Sequence, residues 1–113
     1  MLTIEALRAY GADIEDAMTR CMNNEAFYLK LVGMLKDDAN FERLEEAVSA
    51  GDLQAGFEAA HALKGVAGNL SLKPLYEPVL EITELLRGHT ETDYTELLAA
   101  FREQKEQLFG MMD

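Results

Sequence analysis

FEAAHALKGVAGNLSL, residues 57–72, reads as a helix with one small apolar face. Wound at about 100° per residue with His61 at zero, it places Leu63, Leu70, Ala59 and Ala67 at about 200°, 180°, 160° and 240°. Gly56, just upstream, falls at about 220°, on the same side. His61 points away from that face. Around it fall Gly65, Gly68, Gln54, Lys64 and Phe57, at about 40°, 340°, 20°, 300° and 320°. An interior glycine costs a helix about 0.5–1 kcal/mol relative to alanine, so Gly65 and Gly68, one turn apart, need a reason other than helix stability. Either they let a second macromolecule approach His61, with Phe57 giving it an apolar contact, or they admit a neighbouring helix of the same fold. Their position away from the apolar face favours the first. Lys64, one turn from His61, can stabilise an anion attached to the imidazole.

Working outward, apolar residues recur at helical spacing almost throughout, and no stretch alternates apolar and polar residues over a strand length. The central helix is predicted over residues 53–71, with Gly51 ending the helix before it and Asp52 capping its start. Upstream, Tyr28, Leu31, Leu35, Phe41, Leu44 and Val48 predict a long helix starting at Asn24, or two nearly collinear ones broken around residues 37–40. Two short helices, residues 3–9 and 13–21 with Gly11 between them, precede it and pack across one end. Downstream, Val79, Leu80, Ile82, Leu85 and Leu86 mark a helix with Pro74 and Pro78 near its first turn and Gly88 as its stop. The closing helix is predicted over residues 93–111, with Asp93 and Glu96 resembling a capping box. Tyr94, Leu97, Leu98, Phe101, Leu108 and Met112 share one of its faces. Four substantial helices with short connections give an all-α fold, an antiparallel up-and-down four-helix bundle over residues 24–112, with short additional N-terminal helices within residues 1–22.

The 113 residues fit one domain, and a 49% apolar content is that of a globular chain. Ten Lys plus Arg against 21 Asp plus Glu give a net charge of -11, which argues against binding to a nucleic-acid backbone. No apolar run approaches the ~20 residues of a membrane span, and residues 1–5 show no secretory pattern. Cys21 is the lone cysteine; it fits a reducing, cytoplasmic compartment and reads as a small packing residue.

HALKGVAGNL, residues 61–70, resembles the signature of histidine-containing phosphotransfer (HPt) domains of bacterial phosphorelays, which reads His-x-x-Lys-Gly with small residues following. GADIEDAMTRCMNNEAFYLKLVGML, residues 11–35, is similar to the usual lead-in, and AVSAGDLQAGFEAAHALKG, residues 47–65, to the usual approach to the phosphorylated histidine. Ser71 is a departure, standing where many members carry a further glycine. The resemblance implies that His61 accepts a phosphoryl group from a receiver-domain phosphoaspartate and passes it to another receiver. It implies that Lys64 balances phosphate charge, that Gly65 and Gly68 clear the docking surface, and that Phe57 adds apolar contact. Glu58 and Asn69 are weaker docking candidates on the margin. The partners it implies are response-regulator receiver domains or a hybrid histidine kinase. The Mg²⁺ of the reaction belongs to the receiver, so the chain is expected to need no cofactor and to have no kinase activity of its own. A free-standing monomeric shuttle is expected, with neither nucleic acid nor membrane as a partner.

Other chemistries fit the residues less well. Glu58 and His61 have the Glu-x-x-His spacing of carboxylate-bridged metal sites in helical bundles, but those sites need two such motifs facing inward. Here there is one; His89 follows Arg87 and Gly88, with no Glu at the right offset. No metal site is therefore expected. No glycine-rich nucleotide motif appears, which argues against a self-sufficient histidine kinase. The principal alternative is a non-phosphorylated bundle that docks a partner through the same strip; a relay requires histidine at position 61, whereas an adaptor does not. His89 reads as a dipole partner or solvated side chain at a helix end. The six methionines read as core or end-covering residues, and Asp37, Asp38, Glu42, Glu45 and Glu46 as a solvated face.

Overall fold

The computed structural model describes residues 1–112, and among them the order is α1 Ile4–Tyr10, α2 Ile14–Arg20, α3 Glu25–Gly33, α4 Asn40–Ser49, α5 Leu53–Asn69, α6 Lys73–Arg87 and α7 Thr95–Phe109. A 3₁₀ turn, Met34–Asp37, links α3 to α4, and no strand occurs among the described residues. The side-chain oxygens of Thr3, Asp13, Asn24 and Asp52 each accept a hydrogen bond from the backbone N–H three residues on, so four of the helices start where a capping residue stands. Gly51, at φ +78°, closes α4: the Asp52 N–H donates to the Ala47 carbonyl at 2.9 Å and the Gly51 N–H to Val48 at 3.1 Å.

The turn after α5 repeats that geometry without a glycine. Ser71 sits at φ +57°, with the Leu72 N–H donating to the Ala67 carbonyl at 3.0 Å and its own N–H to Gly68 at 3.2 Å. A Cβ in this region costs about 1 kcal/mol. Two contacts secure the position. The buried Ser71 hydroxyl donates to Asp16 at 2.6 Å, and its carbonyl accepts from the Asp13 N–H at 2.9 Å. Ser71 thus ties the start of α2 to the α5–α6 turn.

Several boundaries differ from the sequence expectation. The helix starting at Asn24 tightens into the 3₁₀ turn at Met34, and the break expected around residues 37–40 follows at Asp38 and Ala39. The capping box at the closing helix does not form: Asp93 accepts from the Thr95 N–H at 2.9 Å, so α7 starts two residues later than predicted and ends at Phe109. Gly88 ends α6 at φ -83°, and the left-handed position falls on His89 at φ +51°. Pro74 lies in the first turn of α6, but Pro78 lies inside the helix, where its missing N–H leaves the Pro74 carbonyl without its intrahelical donor.

Packing is organised around α5, which contacts α4 on one side and α6 on the other; α7 lies against α6. Gly56, Ala59, Ala60, Leu63 and Ala67 are its buried residues. A Cβ on Gly56 would stand 3.3 Å from Val48 and 3.4 Å from Leu86, so the glycine lets both neighbours close in. From α6, Leu75, Val79, Ile82 and Leu86 are buried at alternating steps of four and three, each removing enough apolar surface for about 2 kcal/mol. Phe41 of α4 stacks on Phe101 of α7 at 5.8 Å and meets Phe109 edge-on at 5.0 Å. Beside them Glu45 accepts from Arg102 at 2.7 Å and Lys105 at 3.0 Å. Burial pushes the Glu45 carboxyl up, but those two donors outweigh it and hold it below the usual range. Tyr28 of α3 is fully buried and donates to the Leu70 carbonyl at 2.7 Å, while Tyr10 of α1 donates to Gln104 of α7 at 3.3 Å.

Ser71→Gly is expected to be more stable than Ser71→Ala by about 1 kcal/mol in urea unfolding, because both lose the hydroxyl but only alanine keeps a Cβ in the left-handed region. Asp16 supplies a pH test. Its carboxyl is held below the usual range by the Ser71 hydroxyl first and then by Arg20. A lowered folded-state value gives a contribution complete above the unfolded value of about 3.9 and lost as the pH falls through the folded value. Asp16→Asn is expected to flatten the acid limb of the urea midpoint between about pH 5 and pH 2.

Candidate functional site

Six residues of α5 are exposed: Gln54, Glu58, His61, Ala62, Gly65 and Asn69. They form one stripe along the helix, opposite the buried face. Phe57, Lys64 and Gly68 are half-buried on its α6 side. The stripe is thus rotated from the arc read off the sequence: Glu58 and Asn69 lie within it, while Phe57, Lys64 and Gly68 form its border. Ala62, a small exposed residue directly beside His61, was missed. At about 100° on the rotation from His61 it lies well off the direction opposite the apolar face, so rotation alone gave no signal for it.

The two glycines near His61 serve different ends. Among the described residues a Cβ on Gly65 would meet nothing within 4 Å, so this position is open. A Cβ on Gly68 would stand 3.2 Å from the Tyr76 ring of α6. Gly68 therefore does not stand clear on an outer surface as expected; it admits the neighbouring helix, the alternative that rotation alone had disfavoured.

The His61 imidazole is exposed, and among the described residues no hydrogen bond to the protein fixes it. It stacks on Phe57, with centroids 5.5 Å apart and planes 23° from parallel. The Arg87 guanidinium of α6 lies 5.1 Å from the Phe57 centroid, and its Nε donates to Glu84 at 2.9 Å. The Glu84 carboxyl is held below the usual range by the Arg87 hydrogen bond and charge, with Lys64 and His61 adding to the effect. Arg87 and Glu84 were not legible as site residues, because only the register of α6 on α5 brings them there. Lys64 makes no ion pair among the described residues, which leaves its ammonium available beside His61.

The surroundings of the stripe differ from side to side. Lys64, Gly65 and Gly68 share a groove with Asp16 and Arg20 of α2 and Tyr76 of α6. Across the helix, Val66, Asn69 and Leu70 border an apolar hollow with Leu31 and Met34, and Glu58 lines another with Arg43 of α4. His89 is exposed at the end of α6, its Nε2 3.0 Å from Gln54 Oε1. Among the described residues no three His, Cys, Asp or Glu side chains gather into a group able to hold a metal ion, and no helix is long and apolar enough to cross a membrane.

Compared with known protein families, the chain matches the model of the Hpt domain over residues 30–110, which takes in α4, α5, α6 and α7. The chain belongs to the Hpt domain family. No curated protein and no solved structure matches it. Hpt domains serve histidine phosphotransfer in phosphorelays and interact with the receiver domains and histidine kinases of two-component systems. The helices α1 and α2 lie outside the stretch matched to the Hpt domain.

The contrast between the glycines can be measured in this Hpt domain. Gly65→Ala is expected to raise stability by about 0.5–1 kcal/mol through helix propensity alone. Gly68→Ala is expected to gain less or to lose stability, because the Tyr76 ring must give way. Thermal unfolding of the two variants side by side reads the difference.

Proposed function

We propose that this chain is a histidine phosphotransfer protein in which His61 accepts a phosphoryl group from a receiver-domain phosphoaspartate and passes it to another receiver. The observation that carries the proposal is the exposed imidazole in mid-helix, next to a position, Gly65, where even a Cβ would stand in open space. A receiver brings its phosphoaspartate to the imidazole in line. The Nε2 lone pair forms the N–P bond as the P–O bond to the aspartate breaks and the carboxylate leaves. The second transfer reverses these bonds on a different aspartate.

Lys64, on the α6 border and outside any ion pair among the described residues, balances phosphoryl charge. Gly65 and Ala62 leave room for the receiver, Phe57 backs the imidazole, and Glu58 and Asn69 contact the partner from either side. Gly68 acts indirectly, by keeping α6 close. The Mg²⁺ that such a transfer uses sits on the receiver, and this chain contributes neither a cofactor nor kinase activity of its own. We place the protein in the cytoplasm as a monomer of one domain over residues 1–113, in which α3 with α4, α5, α6 and α7 run up and down as an antiparallel four-helix bundle.

Incubation with a phosphorylated receiver domain is expected to give one acid-labile phosphate by intact mass. His61→Gln is expected to fold normally and take none. A folded wild-type chain that receives no phosphate from any receiver tested would favour the adaptor; a His61→Gln chain labelled as well as wild type would reject the site.

A further inference from the structure

We infer that Arg87 is a positioning residue for the phosphoacceptor, acting on His61 through Phe57. The inference rests on the proposed role of His61 but adds a residue from another helix to that site. The exposed imidazole has no hydrogen bond to the protein among the described residues, so neither ring nitrogen is anchored in the way a carboxylate or carbonyl partner anchors a histidine. What orients the ring is its stack on Phe57, at 5.5 Å and 23°. Phe57 is a half-buried side chain one turn back on the same helix. The cationic group of Arg87, 5.1 Å from the Phe57 centroid, is attracted to the π-face and holds that ring in place from α6. Glu84, one turn back on α6, fixes Arg87 in turn through a 2.9 Å hydrogen bond. Glu84, Arg87, Phe57 and His61 form a chain of contacts from one helix to the next, ending at the group that reacts.

Such a chain replaces the usual second hydrogen bond to a histidine by stacking. It restrains the tilt of the imidazole while leaving both nitrogens open, a useful property for a ring whose nitrogen must attack a phosphoryl group and then give it up. A lysine at position 87 keeps the cation, whereas an alanine leaves Phe57 uncovered. A leucine at position 57 keeps apolar bulk but removes the ring on which both partners act.

The test uses the full chain as wild type, Arg87→Ala, Arg87→Lys, Phe57→Leu and the Arg87→Ala/Phe57→Leu double variant. The first readout is the pair of His61 ring C–H resonances, assigned by their loss in His61→Gln. The second is the rate of transfer from a receiver domain loaded with acetyl phosphate, under saturating receiver. Arg87→Ala is expected to shift the His61 resonances and slow transfer about two- to fivefold, the factor that an exposed cation–π contact is worth. Arg87→Lys is expected to restore most of both. The double variant is expected to transfer no more slowly than Phe57→Leu alone, since Arg87 acts only through that ring. His61 resonances unmoved in Arg87→Ala would overturn the inference, as would losses that simply multiply in the double variant, the sign of a direct contact between Arg87 and the receiver. A wild-type chain that no receiver labels would count against the phosphoacceptor role, while the resonances would still decide whether Arg87 orients the ring.

Discussion

The close approach of α4 and α6 to α5 is the constraint on which the rest depends. It is possible because α5 is thin where they meet it: Gly56, Ala59, Ala60 and Ala67 present little or no side chain, and Val48 and Leu86 already fill the space that a Cβ on Gly56 would need. Two neighbours gripping one helix cover most of its circumference. What remains is a single narrow arc, and His61 lies on it. The exposure of the histidine is therefore a product of core packing, set by small residues on the opposite side of the same helix.

The arc acquires its character from its two banks. On the α6 side stand Lys64, the ring of Phe57, and Arg87 paired with Glu84. On the α3–α4 side lie Leu31, Met34, Asp37 and Asp38, apolar and acidic. The asymmetry gives an approaching protein a preferred orientation before any close contact forms.

The helical content, the burial of Leu63, Ala67 and Leu70, and the caps at Asn24 and Asp52 were legible in the sequence, because periodicity and short polar side chains act locally. The Hpt family was legible in residues 61–70, and the family comparison agrees. Other features depend on contacts between distant parts of the chain. Ser71 and His89 take the left-handed positions where a glycine is the usual choice, and for Ser71 the reason lies 55 residues away, in Asp16. Gly68 looked like a surface glycine until the Tyr76 ring was placed against it. Arg87 shows no periodic or motif signal that points toward His61; its place follows from how α6 lies on α5.

The order of the packing has a consequence for how the chain reaches this state. The most extensive contacts join α4 to α5 and α5 to α6, with α6 on α7 next, so each long helix rests mainly on its successor. Contacts between sequence neighbours close short loops, and chains built from them lie at the fast end of folding rates. The seam between α4 and α7, sealed by Phe41 against Phe101 and by Glu45 against Arg102 and Lys105, closes a much longer loop, and the Tyr10–Gln104 bond spans 94 residues. Entropy therefore favours assembly of the α4–α5–α6 core first, with the α7 seam and the N-terminal helices joining afterwards. On that order the helix carrying His61 acquires its two neighbours before the ends of the chain are in place.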